Sequence, residues 1–368
     1  MISNLVRPNI RALAPYSCAR DEFKGGNDST VFLDANESPY RHDVNAQSHT
    51  SSQGGALEGA LEGASLNRYP DPLQLAVKEG ISRLKDVPVD HIFLGNGSDE
   101  AIDLVFRIFC EPGKDNIVTL TPSYGMYEVC ADINDVECRK VPLVTDGQTF
   151  SFRASDVLDA CDVHTKAIFL CSPNNPTGNL LPRPEVERVL DAFPGIVVID
   201  EAYGDFASEP SWRHSLEDYP RLIVLATFSK AWAAAGMRLG MAFASPEIIG
   251  YFNKVKYPYN VNALTQQQAI EILQQEELIC KEINTILSER QRMAESLLQI
   301  PHVHHVFPSD ANFLLVRVDD ADKLYRQLAD SNIVVRNRNN VVLCSGCLRI
   351  TIGTPDENDA LLQALRLI

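Results

Sequence analysis

Lys230 stands at the end of an apolar run, in Ala226-Thr227-Phe228-Ser229-Lys230, and Gly236-Met237-Arg238-Leu239-Gly240 follows it. A desolvated ammonium is costly unless it is paired or used. Desolvation also lowers a lysine's pKa and makes it a nucleophile able to form a Schiff base with an aldehyde. Arg238 lies eight residues on. With the hydroxyls of Thr227 and Ser229 it can supply donors for a phosphate. The competing reading is a solvated loop lysine, and Arg238 with the two glycines weighs against it.

Three more polar motifs follow apolar runs. Val197-Val198-Ile199 leads into Asp200-Glu201-Ala202-Tyr203. An aspartate ending a hydrophobic strand can pair with a buried cation, such as the protonated pyridine nitrogen of a pyridoxal cofactor. A helix N-cap or the metal-binding Asp-Glu pair of a nucleotide hydrolase would look the same locally. No Gly-x-x-x-x-Gly-Lys-Ser/Thr loop occurs, which weakens the hydrolase reading. Ser172-Pro173-Asn174-Asn175-Pro176-Thr177-Gly178 is a rigid turn whose asparagines can donate to a phenolate, or simply a turn. Gly95-Asn96-Gly97-Ser98-Asp99-Glu100 opens a helix, where backbone N–H groups favour an anion or where Ser and Asp merely cap.

These motifs need elements to hold them. Short runs at 116–120, 167–171, 196–199, 222–226 and 241–244 are apolar on both faces, and helix-length segments such as 99–110 and 184–193 separate them. That is the pattern of strands buried on both sides in a mostly parallel sheet, where ligands bind beyond the carboxyl ends. A long helical stretch over 264–298 leads to an α+β remainder. That remainder reads as a strand at 313–318, a helix at 322–329, strands at 333–336 and 348–352, and a last helix from 357. Residues 41–65 are turn-rich, with an Ala-Leu-Glu-Gly near-repeat over 56–64, and read as a mobile loop and a weak helix.

The 368 residues, 45% hydrophobic and 22% charged, have the balance of a folded globular chain. A net charge of −16 sets the surface against phosphate backbones, so no nucleic-acid partner is expected. No apolar run approaches the roughly 18 residues of a membrane span. Arg7, Arg11 and Arg20 precede no apolar stretch, so no secretory signal is expected. Nine scattered cysteines suit free thiols in a reducing cytoplasm.

Taken in chain order, the Gly-rich turn, Asn-Pro-Thr-Gly, Asp-x-x-Tyr, Ser-Lys and Arg resemble the class I/II branch of the fold-type I pyridoxal-phosphate aminotransferases. The resemblance runs from about Arg7 to the C-terminus. It implies an α/β fold-type I transferase: a large domain with a mostly parallel sheet flanked by helices, plus a smaller α+β C-terminal domain. The division expected is an N-terminal arm and loop at 1–66, contributing to the small domain and the dimer interface. A large cofactor domain at 67–263, a linking helix at 264–298 and a small domain at 299–368 follow it. It also implies roles for residues. Lys230 would carry pyridoxal 5'-phosphate and shuttle the substrate proton. Asp200 would pair with the ring nitrogen, Asn175 and Tyr203 would bond the phenolic oxygen, and Tyr124 would stack on the ring. Gly97, Ser98, Asp99, Ser229 and Arg238 would cradle the phosphate. Tyr69 would reach the phosphate of a neighbouring subunit, which implies a homodimer.

The ends of the chain narrow the resemblance. Arg7-Pro8-Asn9-Ile10, Leu13-Ala14-Pro15-Tyr16, Leu33-Asp34-Ala35-Asn36-Glu37 and Cys347-Leu348-Arg349-Ile350-Thr351 are similar to histidinol-phosphate aminotransferases. That subfamily exchanges an amino group between histidinol phosphate and 2-oxoglutarate, giving imidazole acetol phosphate and glutamate, in histidine biosynthesis. A phosphate monoester wants planar cationic donors, and Arg336 and Arg349 would supply them, with Tyr16 and Asn36 as further substrate contacts. An aromatic amino-acid aminotransferase or a threonine-phosphate decarboxylase on the same scaffold is the alternative. A non-catalytic regulator is disfavoured because Lys230, Asp200 and Asn175 are all present. The 41–65 stretch departs from the family core.

Other signals carry less. His302 and His304 would share a strand face, but no carboxylate or cysteine cluster completes a metal site, so no metal is expected. Cys344 and Cys347 have redox spacing outside any thioredoxin-like unit. Trp212 and Trp232 read as packing.

Overall fold

The computed structural model of the chain describes residues 1–15, 35–36 and 66–368. Tyr16 and the loop and helix expected over 41–65 lie outside the described residues.

In chain order the strands are β1 (Ile92–Asn96), β2 (Asn116–Thr121), β3 (Glu137–Pro142), β4 (Val144–Thr145), β5 (Phe150–Ser151), β6 (Thr165–Cys171), β7 (Ile196–Asp200), β8 (Leu222–Thr227) and β9 (Leu239–Ala244). They continue with β10 (Val303–Val306), β11 (Phe313–Val318), β12 (Arg336–Asn337) and β13 (Cys347–Thr351). A seven-stranded sheet runs β1-β9-β8-β7-β6-β2-β3. β9 is antiparallel to both neighbours, and the pairs from β8 to β3 are parallel. So β1 points the same way as β8, and the carboxyl ends of six strands share one edge with the start of β9.

The central strands are buried on both faces because helices cover both. Val197 and Ile199 pack into one layer, with Phe228 and Trp232, and Ile196 and Val198 into the other, with Phe106 and Phe109. Apolar burial at about 25 cal/mol per Å² is what holds such a sheet together. The amphipathic helix Gly97–Phe109 follows β1 and presents Ile102, Val105 and Phe106 to the second layer.

A four-stranded antiparallel sheet, β10-β11-β13-β12, stands beside it. Its strands alternate. Leu314 and Val316 join a core with Leu348, Leu361 and Leu365, while Phe313 and Leu315 join the large sheet's first layer. The second sheet therefore turns one face toward the first.

Two expectations need correction. The stretch 264–298 is two helices, Ala263–Leu273 and Glu276–Leu297. At the break, Gln274 and Gln275 donate to carbonyls three residues back, a tightening that ends a helix. Of the strand expected at 333–336 only Arg336 pairs in the sheet, together with Asn337 beyond it. The Ile333 N–H is spent on the Leu328 carbonyl, closing the helix Ala321–Asp330. β1 and β3 escaped the periodicity reading, because β1 is short and contains Gly95, and β3 is a charged edge strand. Among the described residues no helix is long and apolar enough to cross a membrane.

Candidate active site

The shared edge of the large sheet gathers the polar motifs. Gly97, Ser98 and Asp99 follow β1, Tyr124 follows β2, Asn175 follows β6, Asp200 ends β7 with Tyr203 just after it, Ser229 and Lys230 follow β8, and Arg238 precedes β9. β9 must run backwards for Arg238 to arrive there. All of these residues line one cavity of about 270 Å³, and Arg336 and Arg349 of the second sheet complete its wall. Tyr69 does not line it; half exposed, it stacks on Tyr259 with ring centroids 4.4 Å apart. Asn36 is exposed and does not line it either.

At one end of the cavity the helix Gly97–Phe109 presents its unsatisfied first-turn N–H groups and the positive end of its dipole. Gly97 sits at φ +72°, and its own N–H is taken by the Arg238 carbonyl at 2.8 Å. A Cβ on Gly240 would lie 2.1 Å from Ser98 N, so only glycine lets β9 pass under this turn. Arg238 itself is left-handed, at φ +55°. Its guanidinium reaches Ser229 Oγ at 3.4 Å and Asp99 Oδ2 at 3.8 Å. Ser229 Oγ also accepts from Thr227 Oγ1 at 3.0 Å. The Asp99 carboxylate accepts from Tyr124 Oη at 3.0 Å, so it orients the tyrosine and Arg238 and leaves its backbone N–H for an anion.

Asp200 is 2% exposed, and burial raises its carboxyl above the usual range. Its Oδ1 accepts the Ala202 N–H at 3.0 Å and its Oδ2 accepts the Tyr127 hydroxyl at 2.7 Å. Lys230 is held below the ordinary lysine range, by burial first and then by the cations Arg349 and Arg238. Its Nζ lies 5.5 Å from the Tyr203 ring centroid. Asn175 Nδ2 donates to Tyr203 Oη at 3.5 Å, and its Oδ1 accepts from Arg349 Nη1 at 2.5 Å. Arg336 and Arg349 are register partners across β12 and β13.

This donor set fits pyridoxal phosphate. The glycine-permitted turn, Ser229 and Arg238 suit a phosphate. A buried carboxylate suits a protonated ring nitrogen, and an amine kept partly neutral suits an aldehyde. Two residues of this region escaped the sequence reading. Tyr127 lies on the buried face of the helix Met126–Ile133, where a tyrosine reads as core; only its need for a hydroxyl partner pointed further. Cys171, at the end of β6, lines the cavity and reads as an ordinary buried thiol.

The model of the aminotransferase class I and II family matches residues 30–365. A histidinol-phosphate aminotransferase of Parabacteroides distasonis is 55% identical over 99% of this chain and 98% of its own. Among solved structures, the histidinol-phosphate aminotransferase of Clostridium acetobutylicum superposes with a TM-score of 0.74 at 27% identity, covering 82% of this chain and 90% of that one. That of Sinorhizobium meliloti, solved with pyridoxal-5'-phosphate, has the same fold, with a TM-score of 0.73 at 24% identity over 82% and 83% of the two chains. Agreement along nearly the whole sequence leads to one conclusion: the chain belongs to the class I and II aminotransferases and groups within them with the histidinol-phosphate aminotransferases.

Proposed function

We propose that the chain moves an amino group between histidinol phosphate and 2-oxoglutarate, in either direction, at the cavity bounded by Lys230, Asp200, Arg336 and Arg349. The observation that carries this is the pairing of Arg336 with Arg349 on the wall of the same cavity that holds Lys230. Two forked cations facing one another across a strand pair suit a phosphate monoester and the carboxylates of glutamate in turn.

The cofactor is pyridoxal phosphate; when bound it supplies an aldehyde that links to amines and a pyridinium ring that draws electrons from the substrate Cα. Ser98 and Asp99 N–H, Ser229 and Arg238 hold its phosphate, with Gly97 supplying the turn. Asp200 keeps the ring nitrogen protonated. Asn175 and Tyr203 bond the phenolic oxygen, and Tyr124, fixed by Asp99, covers the ring face. Lys230 Nζ would hold the aldehyde carbon at rest. Freed by the substrate amine, it would take the proton from the substrate Cα and deliver it to the former aldehyde carbon, which is what moves the amino group. Its lowered pKa keeps a neutral amine available for that task. Because both substrates use one site in turn, 2-oxoglutarate leaves before imidazole acetol phosphate enters, and the kinetics are ping-pong. Tyr69 would reach the cofactor phosphate of a second copy in a homodimer, and Tyr16 and Asn36 would be further substrate contacts.

The test is an absorption titration of the holoprotein. Histidinol phosphate should bleach the visible band of the bound cofactor. A band unmoved by histidinol phosphate but bleached by phenylalanine or threonine phosphate would keep the family and discard the substrate.

A further inference from the structure

The second sheet brings a third arginine, Arg338, beside the two that line the cavity wall. Arg336 is opposite Arg349 and Asn337 opposite Leu348. The Arg338 N–H then donates to the Cys347 carbonyl at 2.9 Å, carrying the pairing one residue further. Alternate residues of a strand share a face. Arg336 and Arg338 therefore stand on the same side as Cys347 and Arg349. Leu348 and Ile350, on the other side, pack into the small core, as Val335 does. Cys347 packs instead in the layer that contains Phe313, Leu315 and Tyr203. The arginine-bearing face is the one turned to the large sheet and its cavity.

Among the described residues no carboxylate forms an ion pair with Arg336, Arg338 or Arg349. The Nε atoms of Arg338 and Arg349 are buried without a hydrogen-bond partner. Burial, then the neighbouring Arg349 and Arg336, hold Arg338 below the usual arginine range. A guanidinium does not escape this by losing its proton. In a chain with a net charge of −16, the half-buried Arg338 and Arg349, without an acidic partner among the described residues and beside the exposed Arg336, form a cationic face that favours an anion. Two forks satisfy a carboxylate; a third cation adds attraction mainly for a group of double charge.

We infer that Arg338 is a specificity residue of the substrate-phosphate subsite, selecting a dianionic phosphate monoester over an otherwise identical amine that lacks it. This rests on the reading of histidinol phosphate as substrate.

The experiment compares the wild-type holoenzyme with Arg338→Gln, Arg338→Met and Arg338→Lys, using histidinol phosphate and histidinol as amine donors. It adds inorganic phosphate as a competitor of glutamate. Both neutral variants should lower kcat/KM for histidinol phosphate roughly tenfold, mainly through KM, and lower that for histidinol by no more than about twofold. Inhibition by phosphate should weaken about as much, and Arg338→Lys should recover most of each loss. Arg338→Met keeps the apolar stem, so it serves if the glutamine variant does not fold. Equal losses for both amines, or no loss for either, would overturn the inference. Wild-type enzyme that turns over glutamate but not histidinol phosphate would overturn the substrate reading instead. Phosphate inhibition of the glutamate reaction would then decide Arg338 alone: weakened in the neutral variants supports it, unchanged sinks it.

Discussion

Tyr127 donates its phenolic hydrogen to Asp200 Oδ2 at 2.7 Å, from a side chain with no exposed surface to a carboxylate that is 2% exposed. The Ala202 N–H takes the other oxygen, so the carboxylate is fixed in plane and direction before any ligand arrives. A hydrogen bond to a charged group is worth about 1.5–3 kcal/mol, and a buried acceptor left without it bears the full desolvation cost.

Tyr127→Phe removes that donor and little volume. The expected outcome is weaker retention of pyridoxal phosphate, by roughly tenfold or more, because Asp200 then holds the ring nitrogen less firmly. Equilibrium dialysis of the cofactor measures this directly. Unaltered retention would mean that Tyr127 serves the core alone.

Glu201, next to Asp200, gives a pH prediction. It is buried, accepts the Trp212 N–H at 2.8 Å and the Ser211 hydroxyl, and burial raises its pKa from 4.5 to about 7. Between those values the folded protein holds a proton that the unfolded chain has lost. Stability from this group is therefore present below pH 4.5 and is lost as pH rises to about 7. The loss is on the order of 3 kcal/mol. Glu201→Gln can still accept the Trp212 N–H, with its NH2 donating to the Ser211 hydroxyl in the reverse sense, and it removes the titration. Its urea midpoint should fall less than that of wild type between mildly acidic and neutral pH, and parallel curves would refute the assignment.

Much of the site was legible because its signals are local. Lys230, Asp200, Asn175 and Arg238 each sit within a few residues of an apolar strand end, and a parallel sheet collects strand ends at one edge. Tyr127 and Arg338 were not, for different reasons. Tyr127 acts through a partner 73 residues away, across the helix-to-sheet packing, and no spacing in the sequence announces that. Arg338 lies two residues beyond Arg336, a period-2 relation that becomes visible only once 336–337 is known to be the paired segment. The long stretch at 264–298 misled because Gln and Glu suit a helix as well as its end.

Arg349 supplies a further test, since it is among the causes of the lowered Lys230 pKa, second to burial. Uptake of pyridoxal phosphate by the apoprotein needs the neutral amine of Lys230. In Arg349→Gln one repelling cation is gone, the lysine pKa moves up, and the neutral amine appears only at higher pH. The pH profile of the uptake rate should shift toward alkaline pH relative to wild type. A profile that stays in place would assign the lowering to burial and Arg238 without Arg349.

Gly240→Ala is the sharpest packing test, because what it would strike is backbone. The added Cβ would lie 2.1 Å from Ser98 N and 2.2 Å from Gly97 C, closer than atoms can approach, so either β9 or the Gly97–Ser98 turn must move. β9 is held on both sides, by β1 through Gly95↔Gly240 and by β8 through Thr227↔Gly240. The turn is the weaker side, since its Gly97 N–H bond to the Arg238 carbonyl is the one in the path. Displacing it costs about 1–3 kcal/mol or more of overpacking strain and turns the helix N–H groups away from Arg238 and Ser229. The variant should fold with reduced stability and lose cofactor affinity by more than the stability loss alone explains. The control is Gly236→Ala, where an added Cβ meets nothing within 4 Å. If both variants bind pyridoxal phosphate equally well in dialysis, the Gly97–Ser98 turn over Gly240 does not hold the phosphate.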